Sequence, residues 1–136
     1  QTCALPISQA TGGKVADDFS SNVVCAAAAA KIDREIITLR RNFAEMFALI
    51  EAGQPIPLER RVRFRYDSAM AVSTAVEVVD GLFTVCGGRA LFRGNSINRA
   101  FQDVHAIRAH HANGPDKPAL NFGAVQLGKK NTDFFI

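Results

Sequence analysis

The chain has 136 residues, of which 48% are hydrophobic, and its 16 basic and 13 acidic side chains give a formal net charge of +3. That length fits one ordinary domain, and that apolar share is enough to bury a core. So mild a charge excludes net charge as an argument for nucleic acid or an anionic membrane surface.

The chain opens on Gln-Thr-Cys-Ala-Leu-Pro-Ile-Ser, which resembles the in-frame translation of a common sequencing-library adapter, and no methionine precedes it. Residues 1–8 are therefore read as a scar and set aside, with the domain expected over 9–136 as a fragment cut open at its N-terminus. Cys3 goes with the scar. Cys25 and Cys86 show no paired or metal-type spacing, so they read as small buried hydrophobes in a reducing cytoplasm, and no metal site is expected. The longest apolar run, residues 23–30, is mostly alanine and far too short to cross a bilayer, so no membrane span is expected.

Residues 9–18 read as a loop through Gly12-Gly13, with two aspartates suited to the start of a helix. A long helix is expected from Ser20 or Ser21 to near Gly53. Ile32, Ile36, Leu39, Phe43, Met46 and Ile50 recur at alternating steps of four and three, the spacing of a helix laid along partners in a bundle. Its alanine run, residues 26–30, forms helix readily and lets a neighbouring backbone come close.

Gln54-Pro-Ile-Pro is a rigid turn, since two prolines cannot both sit inside a helix. A second helix should follow at once, with Val62, Tyr66, Ala69, Val72, Val76, Val79, Phe83 and Cys86 at the same spacing. Between Ala69 and Cys86 nearly every face is apolar or small, which predicts burial on several sides. Glu77 and Asp80 interrupt that stretch, either as a carboxylate pair or as salt-bridged structural acids. The opening Glu59-Arg-Arg-Val-Arg-Phe-Arg sets arginines against the helix dipole and asks for a negative partner. A nucleic-acid patch is one reading; a solvated face or ion pairs with another subunit is the plainer one.

Residues 85–114 concentrate a glycine pair, four arginines, an aspartate and all three histidines. A glycine break at Gly87-Gly88 should end the buried helix. After an irregular turn through Gly94 and Asn95, Ser96 is a plausible N-cap for a third helix bearing Ile97, Phe101, Val104 and Ile107. If that helix continues, Asp103 and His110 project from one face, seven residues apart. A carboxylate and an imidazole near a glycine-rich turn make a site candidate. The competing reading is a histidine that merely complements the dipole at a helix C-terminus before an Asn113-Gly114 stop. Pro115 and Pro118 then break the chain, and residues 121–136 form a tail whose Phe134-Phe135-Ile136 end should dock on a surface, of this chain or another.

These residues carry a resemblance. An Ala-rich helix, Pro-x-Pro-Leu-Glu-Arg-Arg, a buried helix ending in Gly-Gly-Arg-Ala, then Arg-Ala-Phe-Gln-Asp-Val-His-Ala-x-x-Ala-His, together resemble the C-terminal helical domain of acyl-CoA dehydrogenase-like flavoproteins. More narrowly, they resemble the flavin-dependent monooxygenases of that superfamily, of the 4-hydroxyphenylacetate hydroxylase oxygenase and dibenzothiophene monooxygenase type. The tail from Asn121, Asn-Phe-Gly-Ala-Val-Gln-Leu-Gly, is similar to theirs as well. The resemblance covers nearly everything from Asp17 onward and implies an all-α antiparallel helical bundle, incomplete here. The N-terminal helical domain, the middle β-domain and the first helix of this bundle are missing.

The subfamily assignment rests on one position. The dehydrogenases resemble Arg-Asp followed by Tyr-Glu-Gly-Thr, whose glutamate is the usual catalytic base. Here that region reads Gln102-Asp103 and then His110-His111-Ala112-Asn113-Gly114, with no carboxylate. The resemblance to the monooxygenases implies that His110 lies by the reactive edge of the flavin. It implies reduced FMN or FAD delivered by a separate flavin reductase, and a flavin hydroperoxide that oxygenates an aromatic or small apolar substrate. An imidazole there suits proton handling near neutral pH. Gly87, Gly88 and Arg89 match the segment approaching the flavin's phosphate end, usually across a subunit boundary. A plain helix cap with a surface arginine is the alternative. The family also implies a homotetramer, which would account for apolar faces in excess of what three helices can bury. Against the oxygenase stand an acyl-CoA dehydrogenase with a relocated base and a non-catalytic helical assembly module.

Overall fold

The structure is a computed structural model that describes residues 17–136. The expectations for residues 1–8, Cys3 among them, and for most of the loop after them lie outside the described residues. Within these the fold is all-α, as the resemblance implied: α1 is Phe19–Glu51, α2 is Leu58–Cys86, α3 is Ser96–Ala109 and α4 is Asp116–Gln126.

Local chemistry sets each boundary. Asp18 caps α1 by accepting from the Ser21 amide at 2.8 Å. The helix runs to Glu51 and is followed by Gly53 at φ 65°. Pro57 precedes α2, and Glu59 in its first turn complements the positive end of the helix dipole. Gly87 closes α2 at φ 59°, a conformation that a side chain with Cβ resists. The cap of α3 is Asn95 rather than Ser96. The Asn95 Oδ1 accepts from the Ile97 amide at 3.1 Å while its Nδ2 donates to the Arg89 carbonyl at 3.1 Å, so one side chain ties the glycine turn to the helix start.

The tail differs from expectation. Pro115 and Pro118 start α4 instead of merely breaking the chain, because a first helical turn needs no backbone N–H from them. Tyr66 of α2 stacks on Phe122 of α4 with centroids 5.5 Å apart. Beyond α4 the chain is tied back by buried Asn121, which accepts from the Thr132 amide at 2.9 Å and donates to Asn131 Oδ1 at 2.8 Å.

α2 is the centre, with α1, α3 and α4 all packed on it. Lys31 with Glu77, Arg41 with Asp67 and Glu45 with Arg60 pair α1 to α2 in antiparallel order. Val79, Cys86, Ala90 and Ile97 form a buried cluster at the α2–α3 end, joined by Phe83 and Phe101 with ring centroids 4.5 Å apart. An aromatic pair of that geometry contributes about 0.5–1.5 kcal/mol beyond its area. By length and composition the stretch Leu58–Leu91 could cross a membrane. In this fold α1, α3 and α4 pack on that stretch, of whose most apolar window 22% is buried.

One burial expectation fails in part. Cys86 is buried, but Cys25 is exposed. The apolar stripe of α1 is wider than α2 can cover: its buried positions are Ser21, Ala28 and Asn42, whereas Phe43 is 52% exposed and Phe47 62%.

Candidate functional site

His110 does not lie on α3. The helix ends at Ala109, and His110 takes an extended backbone (φ −67°, ψ 129°) as its C-cap. The expected face shared with Asp103 is therefore absent: Asp103 pairs along the helix with Arg99 at 3.6 Å, both exposed, and Gln102 donates to Asn98 Oδ1 at 2.9 Å. What interrupts the helix is a competing set of bonds. Asn113 Nδ2 donates to the Ile107 carbonyl at 2.8 Å, the Asn113 amide bonds the His110 carbonyl at 2.9 Å, and the Ala112 amide donates to His110 Nδ1 at 3.3 Å. These fold residues His111–Asn113 into a 3-10 turn. The exposed His110 ring lies 4.5 Å from that of His111. A neutral ring with Nδ1 accepting carries its proton on Nε2, as a donor.

Gly87, Gly88 and Arg89 lie at the other end of α3, in a 3-10 turn, Gly87–Leu91. All three are exposed, and a Cβ at Gly87 or Gly88 would meet nothing within 4 Å. The glycines thus leave open space rather than a tight internal approach. Beside them, Arg93, Asn95, Ser96 and Arg99 line an open hollow of about 640 Å³ at the N-terminus of α3. Two guanidinium groups and a helix N-terminus suit an anionic group. α3 has 14 residues, so its ends stand about 21 Å apart. One copy of the chain does not bring His110 and Arg89 together.

The remaining polar residues sort into pairs. Glu77 and Asp80 turn to separate partners rather than to each other: Glu77 is salt-bridged to Lys31, and Asp80 Oδ1 lies at hydrogen-bond distance, 2.9 Å, from His105 Nε2. Three of the four arginines at the start of α2 pair with acids of this chain, Arg60 with Glu45 at 2.7 Å, Arg63 with Asp67 at 2.8 Å and Arg65 with Asp133 at 3.8 Å. Among the described residues no group of three or more His, Cys, Asp and Glu side chains could hold a metal ion.

Sequence reasoning missed Arg65 and Asp133. Together with His111, Lys117, Asn121 and Phe135 they line a cavity of about 300 Å³ that the turn after α3 borders through His111. No local spacing could reveal it, because its walls come from α2, the turn after α3, α4 and the tail. A second, apolar groove of about 320 Å³ runs between α1, α2 and α3, past Leu39, Val72 and Val104 to Ile107.

With this geometry in hand, the comparisons are specific. The chain is 35% identical over 125 residues to the flavin-dependent monooxygenase oxygenase subunit HsaA of Rhodococcus jostii RHA1, covering 92% of this chain and 33% of that protein. It is 37% identical over 125 residues to the subunit of the same name in Mycobacterium tuberculosis, covering 92% and 32%. The crystal structure of 3-HSA hydroxylase from Rhodococcus sp. RHA1 superposes with a TM-score of 0.84 at 35% identity, over 90% of this chain and 32% of that one. The chain thus spans about a third of the length of the curated relatives it matches. The model of the acyl-CoA dehydrogenase C-terminal domain matches residues 7–115, and the chain belongs to that family.

Proposed function

We propose that the parent protein is the oxygenase component of a two-component flavin-dependent monooxygenase. It would act on an aromatic or similar small apolar substrate with reduced FMN or FAD from a separate flavin reductase, and residues 9–136 would be its C-terminal helical domain. Two relatives at 35% and 37% identity are named as oxygenase subunits. The observation that carries the reading is His110: exposed, beyond the end of α3, and holding Nδ1 to its own turn. The turn around it, residues 110–114, contains no carboxylate.

The residues present fit a flavin. Exposed Arg89, and separately Arg93 and Arg99, which line the hollow at the start of α3, suit its phosphate end, and the glycine pair lets a group approach the backbone. When bound, the flavin supplies the oxidising chemistry. His110 would hold or move a proton at Nε2, and the apolar groove that reaches Ile107 suits a small apolar substrate. The separation of His110 from Arg89 in one copy favours their serving ends of cofactors shared between copies.

An acyl-CoA dehydrogenase would need a carboxylate base. The one beside the cavity, Asp133, faces Arg65 through Oδ2 at 3.8 Å and accepts from the Phe135 amide through Oδ1 at 3.0 Å. Both its oxygens are engaged. Assembly as a homotetramer belongs to the same proposal, supported by the uncovered apolar residues of α1, Ile37 and Phe47 among them. A purely assembling module would leave the His110 turn without a use. Cytoplasmic location belongs to the same proposal, and the acid partners of Arg60, Arg63 and Arg65 weigh against nucleic acid. The central packing position of α2 weighs against a membrane span. The isolated chain is proposed to be inactive, turnover requiring the parent protein.

The test is to supply the parent protein with reduced flavin, labelled dioxygen and a panel of phenolic substrates. Hydroxylated product carrying one labelled oxygen atom supports the reading. Oxidation of an acyl-CoA thioester with no labelled oxygen in any product would sink it.

A further inference from the structure

No helix holds the His110 ring, since α3 stops before it and the residue is exposed; its ring touches that of His111 at 4.5 Å. Its anchor is the Ala112 amide on Nδ1. Ala112 is itself held from elsewhere in the chain: the Nη2 of Arg65, near the start of α2, donates to its carbonyl. Arg65 has little freedom. Its side chain is 19% exposed, its Nε faces Asp133, which is 10% exposed, and its guanidinium carbon sits 5.8 Å from the Phe135 ring centre. The His111 ring packs on the same Phe135, also at 5.8 Å. Asp133 is held in turn by the Phe135 amide and by the Asn121 ties to Asn131 and Thr132. A planar guanidinium with five donors can reach a carbonyl on one side and a carboxylate on the other, which a single ammonium head cannot do in the same geometry.

We propose that Arg65 is a positioning residue for His110: held by Asp133, it fixes the 111–113 turn through the Ala112 carbonyl, and so keeps the Ala112 amide on Nδ1 and the ring proton on Nε2. This rests on the reading of His110 as the proton-handling group beside the flavin, because only there does a fixed tautomer matter to the reaction. The tautomer itself is a property of this chain and can be measured without flavin.

The experiment is nitrogen-15 NMR of the His110 ring in the full 136-residue chain, at a pH where the rings are neutral. The wild type is expected to show Nε2–H with Nδ1 accepting. Arg65→Ala should raise the Nδ1–H population several-fold and speed hydrogen exchange of the Ala112 amide. Asp133→Asn should move both in the same direction by less, and Arg65→Lys should restore them only in part. A wild-type ring already divided between tautomers overturns the proposal, whatever the variants do. So does an unchanged distribution in Arg65→Ala, or in the near-isosteric Asp133→Asn should the alanine variant fail to fold. A parent protein that does not hydroxylate while Arg65→Ala still releases Nδ1 sinks the oxygenase reading and leaves the clamp standing.

Discussion

Asn42 of α1 donates from Nδ2 to Oδ2 of Asp67 on α2 at 2.9 Å, and both side chains are buried. Arg41 at 3.2 Å and Arg63 at 2.8 Å complete the ring of donors around that carboxylate. The two arginines are about half exposed and can turn to water if the acid is lost, whereas Asn42 cannot. Asp67→Ala should therefore destabilise the chain by about 2 kcal/mol, mainly through the unsatisfied buried amide, and Asp67→Asn by about 1 kcal/mol. Equilibrium urea unfolding checks this, and an alanine variant as stable as wild type would contradict it.

Gly87 tests a backbone requirement alone. At φ 59° with open space around it, Gly87→Ala meets no clash and should cost about 1–2 kcal/mol through conformation only. Gly88 has no positive φ and equal space, so Gly88→Ala should cost clearly less. Thermal unfolding of the two variants gives the comparison; equal losses would refute the conformational explanation.

Arg89 is a separate matter, because it is exposed and its removal leaves no buried group unpaired. Arg89→Ala should weaken binding of reduced flavin to the parent protein about tenfold, equivalent to roughly 1.4 kcal/mol, with the unfolding midpoint unchanged. Equilibrium titration with the flavin measures it. Unaltered affinity would remove Arg89 from the cofactor site.

The uncovered face of α1 predicts an assembly defect. Phe47 is 62% exposed in the single chain, so Phe47→Glu should leave helicity intact while lowering the oligomeric state of the parent protein in sedimentation. An unchanged sedimentation coefficient would mean that this part of α1 faces solvent.

The sequence disclosed what is local and repetitive. The periodicity of α2 and the glycine at its end gave a central helix and its stop, and both stand in the structure, though most of its positions are half-buried rather than buried. The apolar stripe of α1 was equally visible, but periodicity says which face is apolar and not how much of it one chain covers, hence the exposure of Phe43 and Cys25. The prolines misled for a local reason: Pro115 and Pro118 break one helix and are compatible with the first turn of the next. At the site, His110 could be picked out by its neighbours, yet its backbone could not, because helix continuation lost to the Asn113 and Ala112 bonds that turn the chain. The Arg65–Asp133 contact joins residues 65 and 133 with no motif between them; only the fold brings them to the same carbonyl-lined turn.

The most direct test of the central claim is the coupling efficiency of the parent protein carrying His110→Ala, measured as hydroxylated product formed per reduced flavin oxidised. If His110 handles a proton beside the flavin, coupling should fall by on the order of a hundredfold, with flavin affinity within about twofold of wild type, as its side chain bonds only its own turn. Coupling equal to wild type at unchanged affinity would show that His110 caps a helix and nothing more.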